Sequence, residues 1–261
     1  MKREAVLSRR QILARVALGG AALGLAGCDR LSNSTQTRSV LDAAETLTRT
    51  VQRALLAPRD ALAPEYGPAD ISPSFKPNGS VDPDDPDYVQ ARDERFINWK
   101  LDIGGLVDRP MQLSLAELGQ MPARTQTTRH DCVEGWSCIG KWKGALLGQL
   151  LTAAGLKPSA GYIAFYCADT LEQTLDGTGK YYETIDLIDA FHPQTILAYE
   201  MNDKPLPVAN GAPLRLRVER QLGYKMAKYV MRLEAIESFD KLGRGRGGFW
   251  EDRGYEWYAG I

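Results

Sequence analysis

The residues with the most chemistry in this sequence form one run, Arg129-His130-Asp131-Cys132-Val133-Glu134-Gly135-Trp136-Ser137. A thiolate at a strand-to-loop junction suits a soft transition metal, and it equally suits a nucleophile. Arg129 and His130 would help keep Cys132 ionised. Residues two apart on a strand point to the same face, so His130 could act on Cys132 as a base. A buried cysteine with coincidental polar neighbours accounts for the same residues, and their types alone leave these readings open.

Two later segments could hold an anion. Asn210-Gly211-Ala212-Pro213-Leu214-Arg215 is a turn from which a strand carrying Arg215 and Arg217 departs. Leu222-Gly223-Tyr224-Lys225-Met226-Ala227-Lys228 adds a glycine and two lysines. Backbone N–H groups with Arg and Lys can wrap a phosphate. Taken alone, a solvated basic strand face is the simpler reading of these residues.

The elements that must position these groups can be read from pattern. Trp99 to Ile103 alternates and stops at Gly104-Gly105, a strand and turn. Ser114-Leu115-Ala116-Glu117 fits a capping box, so a short helix is predicted from Ser114 to before Pro122. Arg124 to Asp131 is Thr-rich and strand-like and leads into Cys132. Ala145 to Ala154 is predicted as a helix stopped by Gly155, so the cysteine run has a strand before it and a helix after it. Tyr162 to Cys167, Ile196 to Met201, Leu214 to Val218 and Tyr229 to Phe239 are predicted strands, and Leu187 to Phe191 a short helix. On Leu214 to Val218 the alternation predicts one apolar and one basic face. Strands and short helices mix without a βαβ rhythm, which predicts an α+β fold. The tail returns to aromatics with Phe249, Trp250, Tyr255, Trp257 and Tyr258, which could wall a pocket or pack on the core.

Residues 1–28 read as a targeting segment. Ser8-Arg9-Arg10-Gln11-Ile12-Leu13 precedes a stretch of small and apolar residues and resembles the twin-arginine export signal. That route carries folded proteins, which makes sense for a cofactor installed before export. Leu25-Ala26-Gly27-Cys28 resembles a lipobox, so Cys28 is a candidate lipid anchor. Residues 29–74 read as a polar linker or stalk with a helix around Val40 to Leu56, and Gly67 to Pro86 as irregular loop. The chain has 261 residues and net charge −1, so no general basic field recruits nucleic acid. Its four cysteines match no paired zinc pattern. Outside the cytoplasm a Cys138–Cys167 disulfide is allowed.

Three motifs in order, Cys-Val-Glu-Gly-Trp-Ser, Asn-Gly-Ala-Pro-Leu-Arg and Gly-Tyr-Lys-Met-Ala-Lys, resemble the sulfite-oxidase-like molybdopterin oxidoreductases, nearest the periplasmic methionine sulfoxide reductase catalytic branch. The resemblance runs from about Phe75 to Phe239 and implies a sulfite-oxidase-type domain of mixed sheets over residues 75–261. It implies a molybdopterin cofactor with Cys132 as the metal's thiolate ligand and Glu134 as an acidic residue beside it. By position it also implies cofactor contacts from Asn78, Cys167, Asn210, Arg215, Met226, Ala227 and Lys228. Cys167 stands where the branch has Thr, so a hydroxyl contact is lost there. In Phe75-Lys76-Pro77-Asn78, Pro77 stands where sulfite oxidases have the Arg that helps bind sulfite, which counts against that substrate.

The expected reaction is two-electron oxygen-atom transfer, as reduction of an S-oxide or N-oxide, with oxidation of sulfite or a related small sulfur compound as the alternative. The chain has no haem attachment pattern, so a separate cytochrome or quinol system is the expected electron partner. Little chain follows Phe239, which leaves no room for a dimerisation domain and suggests a monomer. The expected location is the periplasm. Two other classes stay open, a Cys132-nucleophile enzyme and a non-catalytic binding lipoprotein. Folding before export argues against both.

Overall fold

The structure is a computed structural model that describes residues 34–56, 61–174 and 179–261. The proposed leader and lipobox, with Cys28, lie outside the described residues. The chain divides into two units, one holding helix α1 (Thr35–Leu56) and the other running from Ala57 to Ile261. The Ser34 hydroxyl accepts the Thr37 amide at 3.1 Å and caps α1, which therefore starts five residues before the predicted Val40. Among the described residues no helix is long and apolar enough to cross a membrane.

The described residues of the second unit form two five-stranded sheets. One runs in the order β2 (Met111–Ser114), β1 (Lys100–Gly105), β10 (Val230–Ile236), β5 (Tyr162–Thr170) and β6 (Lys180–Asp186). The other runs β3 (Ala123–Cys132), β4 (Trp136–Leu146), β7 (Ile196–Met201) and β8 (Lys204–Pro205), with β9 (Arg215–Arg217) paired to β7. Every pairing is antiparallel except β1 with β10. Among the described residues four short α-helices join the strands: α2 (Pro86–Asp93), α3 (Leu115–Leu118), α4 (Leu147–Ala154) and α5 (Leu187–Ala190). This is the predicted α+β class. The main core joins Leu101, Ile163, Phe165 and Leu233 of the first sheet to Leu197 and Leu216 of the second, with Leu147, Leu150 and Leu151 of α4.

Local signals decide several boundaries. Asp85 caps α2 by accepting the Tyr88 amide and Pro86 occupies the first turn, a start signal missed when 67–86 is read as loop. Ser114 and Glu117 form the predicted capping box on α3. Ser114→Ala should cost about 1 kcal/mol of stability, read as a lower urea midpoint with an unchanged slope. Gly155 ends α4 at φ 73°, in the left-handed region. Residues 61–74, read from sequence as the end of a linker, lie against the second sheet. The Tyr66 amide donates to Thr127 O at 2.9 Å and the Ser72 amide to Ile139 O at 3.0 Å.

Beyond Cys132 the path of the chain differs from expectation. Instead of running on to a helix, the chain turns at Gly135 (φ 86°) and returns as β4, paired with β3 from Cys132↔Trp136 to Ala123↔Ala145. Two glycines hide this strand from pattern reading, and both answer to close packing. A Cβ at Gly144 would sit 2.1 Å from Leu197 O, and one at Gly140 would sit 3.2 Å from the Phe75 ring.

Candidate cofactor site

Cys132 is the last residue of β3, and the reason it reaches a cleft is the register of that strand. Gln126, Thr128, His130 and Cys132 alternate inward and all are buried. A polar row facing a core needs partners, and β9 supplies them. Arg217 is fully buried; it contacts Glu219 at 2.6 and 2.9 Å and donates to His130 Nδ1 at 3.1 Å. Gln126 Nε2 donates to Glu219 Oε1 at 2.8 Å. The guanidinium also lies 4.4 Å from the Trp142 ring centre. Both arginines of β9 are thus buried, and the solvated basic face expected from its alternation does not exist.

The cleft beside Cys132 has a volume of about 140 Å³. The hairpin turn brings Cys132 and Glu134, the loop before α2 brings Asn78, and the segment 223–228 brings Gly223, Met226 and Lys228. Asp169 and Tyr181 come from the first sheet, and Trp250 and Tyr255 of the tail complete the wall. Behind this surface the other proposed cofactor residues join in one hydrogen-bonded group. Arg215 donates to Asn210 O and to Asn78 Oδ1, each at 3.1 Å. Lys228 Nζ donates to the carbonyls of Asn78 (2.6 Å), Ser80 (2.5 Å) and Ala209 (3.1 Å).

Two proposed contacts are placed elsewhere. Cys167 does not line this cleft. It is buried on β5 beside a second cavity of about 570 Å³, and the register of β5 with β6 breaks between Tyr166 and Thr170. Ala227 is buried in the main core and its carbonyl accepts the Leu216 amide at 2.8 Å. Cys132, Cys138 and Cys167 are all free, so the allowed Cys138–Cys167 disulfide is not formed. Cys138 and Cys167 stand on different sheets.

The electrostatics of the cleft floor favour an anion. Burial, then Arg217, lowers Arg215 to about 9; burial, then Arg215, lowers Lys228 to about 7. Burial and the same cations hold His130 well below its usual range, so its imidazole is neutral. Three buried donors here have no hydrogen-bond partner: His130 Nε2, Asn210 Nδ2 and Arg215 Nε. Unpaired buried donors are costly, and a phosphate-bearing pterin is the kind of group that satisfies such a set. The residues present fit that cofactor.

This floor should produce two pH effects. Burial raises Asp169 to about 6. The folded chain then takes up that proton before the unfolded chain does, so stability falls as pH rises from about 4 to about 6. Lys228 has the opposite sign, because the folded chain releases its proton first and stability rises above about pH 7. When melting of cofactor-free protein is followed across pH 4–9, Asp169→Asn should lose, relative to wild type, the fall between about pH 4 and about pH 6.

The geometry weakens the nucleophile reading. Burial raises the Cys132 thiol above its usual value. His130 turns Nδ1 to Arg217, and its Cε1–Nε2 edge fills the space a side chain at Gly223 would need, 2.3–2.4 Å from an ideal Cβ. Glu134 is exposed on the rim. It accepts the Trp136 indole N–H at 2.9 Å, which holds its carboxyl below the usual range.

The family model described as an oxidoreductase molybdopterin binding domain matches residues 88–241, and the chain belongs to that family. It is a molybdopterin oxidoreductase. Over 254 residues it is 36% identical to the putative protein-methionine-sulfoxide reductase subunit YedZ1 of Azospira oryzae, covering 97% of this chain and 88% of that protein. It is 34% identical to the protein-methionine-sulfoxide reductase catalytic subunits MsrP of Campylobacter jejuni and Xanthomonas axonopodis, over 52% and 56% of this chain. The chain spans about half the length of these two subunits, 48% in each case. Among solved structures it is similar to the sulfane dehydrogenase SoxCD of Paracoccus pantotrophus, with TM-score 0.48 and 23% identity over 54% of this chain and 39% of that one.

Proposed function

We propose that this chain is an exported reductase that removes the oxygen of an S-oxide, with N-oxides as a second substrate class, at a molybdenum–pterin held through Cys132. The observation that carries this reading is the cleft itself. Cys132 shares its wall with Asn78, Met226 and Lys228, above buried donors that lack partners. The names of the three curated relatives support an S-oxide as the substrate class.

The bound cofactor supplies two-electron oxygen-atom exchange, and the protein supplies binding, access and charge. Cys132 would hold the metal as a thiolate. Arg215 and Lys228 would offset the pterin phosphate, and a nearby anion would draw Lys228 back to its ammonium form. Asn78 and Asn210 would add amide contacts. Glu134, already ionised at the rim, would orient substrate rather than release a proton. Trp250 and Tyr255, stacked at 5.4 Å, would exclude water on the opposite wall.

The leader at 1–28 supports export to the periplasm, with a lipid anchor at Cys28. Electrons would arrive from a separate cytochrome or quinol system. The test is metal analysis of protein purified from its export host, with assays against S-oxides, N-oxides and sulfite. About one molybdenum per chain with reduction of an S-oxide by a reduced viologen dye is the expected result. Sulfite oxidation without reduction would reverse the direction, and folded protein without molybdenum would overturn the reading.

A further inference from the structure

The groups that would hold the cofactor and the outer wall of the cleft differ in depth. Arg215, Lys228 and Asn210 are 0%, 5% and 7% exposed, whereas Val133 and Tyr255 are 46% and 39% exposed. A pterin held by the buried groups leaves the outer part of the cleft to substrate. One side of that part is apolar, formed by Tyr224, Trp250 and Tyr255 with Val133 and Leu171.

Local structure fixes this wall. The short turn Glu251–Arg253 ends at Gly254, whose φ of 99° lies in the left-handed region. The chain doubles back there, and the Tyr255 amide donates to Trp250 O at 3.1 Å. The two rings stack with centres 5.4 Å apart and planes inclined by 27°. Tyr224 meets Tyr255 edge-on at 5.2 Å, and its hydroxyl donates to Glu256 O at 2.7 Å. Within the turn, Glu251 is buried against Lys225 at 2.5 Å. Tyr255 is held from both flanks while it stays open to solvent. A wall fixed in advance loses little freedom when a ligand binds.

Charge sorts the same approach. Among the described residues that line the cleft, Lys228 is the one cation, and its three N–H groups all donate to carbonyls. Glu134 is ionised at the rim and lies 3.5 Å from Lys76. An anionic substrate finds no uncommitted cation on this wall, and an uncharged one needs none. We infer that the outer cleft selects an uncharged aryl S-oxide, with its ring added to the Trp250–Tyr255 stack and its S–O group at the Cys132 end. Aromatic stacking adds affinity beyond the area it buries, which sets this class apart from compact S-oxides. Tyr255 is then a specificity-determining residue. This inference rests on the reductase reading above.

The test compares methyl phenyl sulfoxide, dimethyl sulfoxide and 4-(methylsulfinyl)benzoate, each with molybdenum-loaded enzyme and reduced benzyl viologen. Wild type should favour the phenyl substrate over each of the others by about tenfold or more in kcat/KM. Tyr255→Leu keeps apolar bulk without a ring and should cut the preference for phenyl over dimethyl about fivefold, while Tyr255→Phe should keep it. Molybdenum and pterin per chain should match wild type in both variants. Binding is read apart from turnover by calorimetric titration of the resting enzyme with methyl phenyl sulfoxide and no reductant. The Kd should weaken by the same factor in Tyr255→Leu. Equal kcat/KM values for the phenyl substrate and either of the others in wild type, or an unchanged preference in Tyr255→Leu, would overturn aryl selection. Loss of pterin from Tyr255→Leu would also overturn it, because the cofactor's ring would then occupy the stack. A loaded wild type that binds methyl phenyl sulfoxide through Tyr255 but reduces no S-oxide would instead overturn the reductase reading and leave the aryl site standing.

Discussion

Cys132→Ser is expected to fold and melt like wild type while losing nearly all activity. The side chain ends a strand at 8% exposure and accepts the Glu134 amide, a contact that a serine oxygen can keep. No packing volume of consequence is removed, so the stability change should stay below about 1 kcal/mol. A hydroxyl is a poor ligand for a soft metal at neutral pH. The loss in turnover should exceed the roughly 10–100-fold that outer-shell partners of metal ligands typically cost. Molybdenum per chain, spin resonance of the partly reduced metal and turnover should be compared on matched wild-type and variant preparations. Wild-type turnover and an unaltered spin-resonance signal in the serine variant would remove Cys132 from the site.

Arg217→Ala should be the most destabilising single change at the cleft floor. It strands Glu219, whose side chain is fully buried and paired with Arg217 at 2.6 Å. It also removes the donor to His130 and the cation stacked on Trp142. Breaking one partner of a buried pair typically costs about 3–5 kcal/mol, because the remaining charge has no water to replace its partner. For a unit of this size that corresponds to a melting temperature lower by roughly 10 °C. The pair Arg217→Met with Glu219→Leu should recover much of the loss, because it removes both charges and keeps the volume. Chemical denaturation of Arg217→Met, Glu219→Leu and their pair, analysed as a double-mutant cycle, measures the coupling. An Arg217→Ala variant within about 1 kcal/mol of wild type would mean that water reaches the Glu219 carboxyl once its partner is removed.

The parts legible in the sequence were those with local causes. The capping box at Ser114, the left-handed stop at Gly155 and the strand Ile196–Met201 are set by neighbours a few residues away, and each stands where the pattern placed it. The family was legible because three short motifs occur in order, and Cys132, Asn78, Met226 and Lys228 share one cleft. Strand β4 was not legible, because Gly140 and Gly144 answer to a phenylalanine ring and a neighbouring strand rather than to local propensity. Strand β6 was hidden for a related reason. Its inward row includes Glu183, which reads as a solvent residue until Lys225 and Glu251 are seen beside it.

By itself, then, the sequence determined the α+β class, the local starts and stops, and the residue types able to hold a metal and an anion. These depend on propensity, capping and chemical identity, which act over short separations along the chain. Tertiary structure alone decided that the arginines of β9 are buried, that a neutral His130 accepts from Arg217, that Cys167 lines the second cavity rather than the cleft, and that a lysine lies between two buried carboxyls, one of them beside Tyr181. Burial, hydrogen-bond pairing and the interaction of charges depend on which residues meet across distant segments, and no window along the chain contains that.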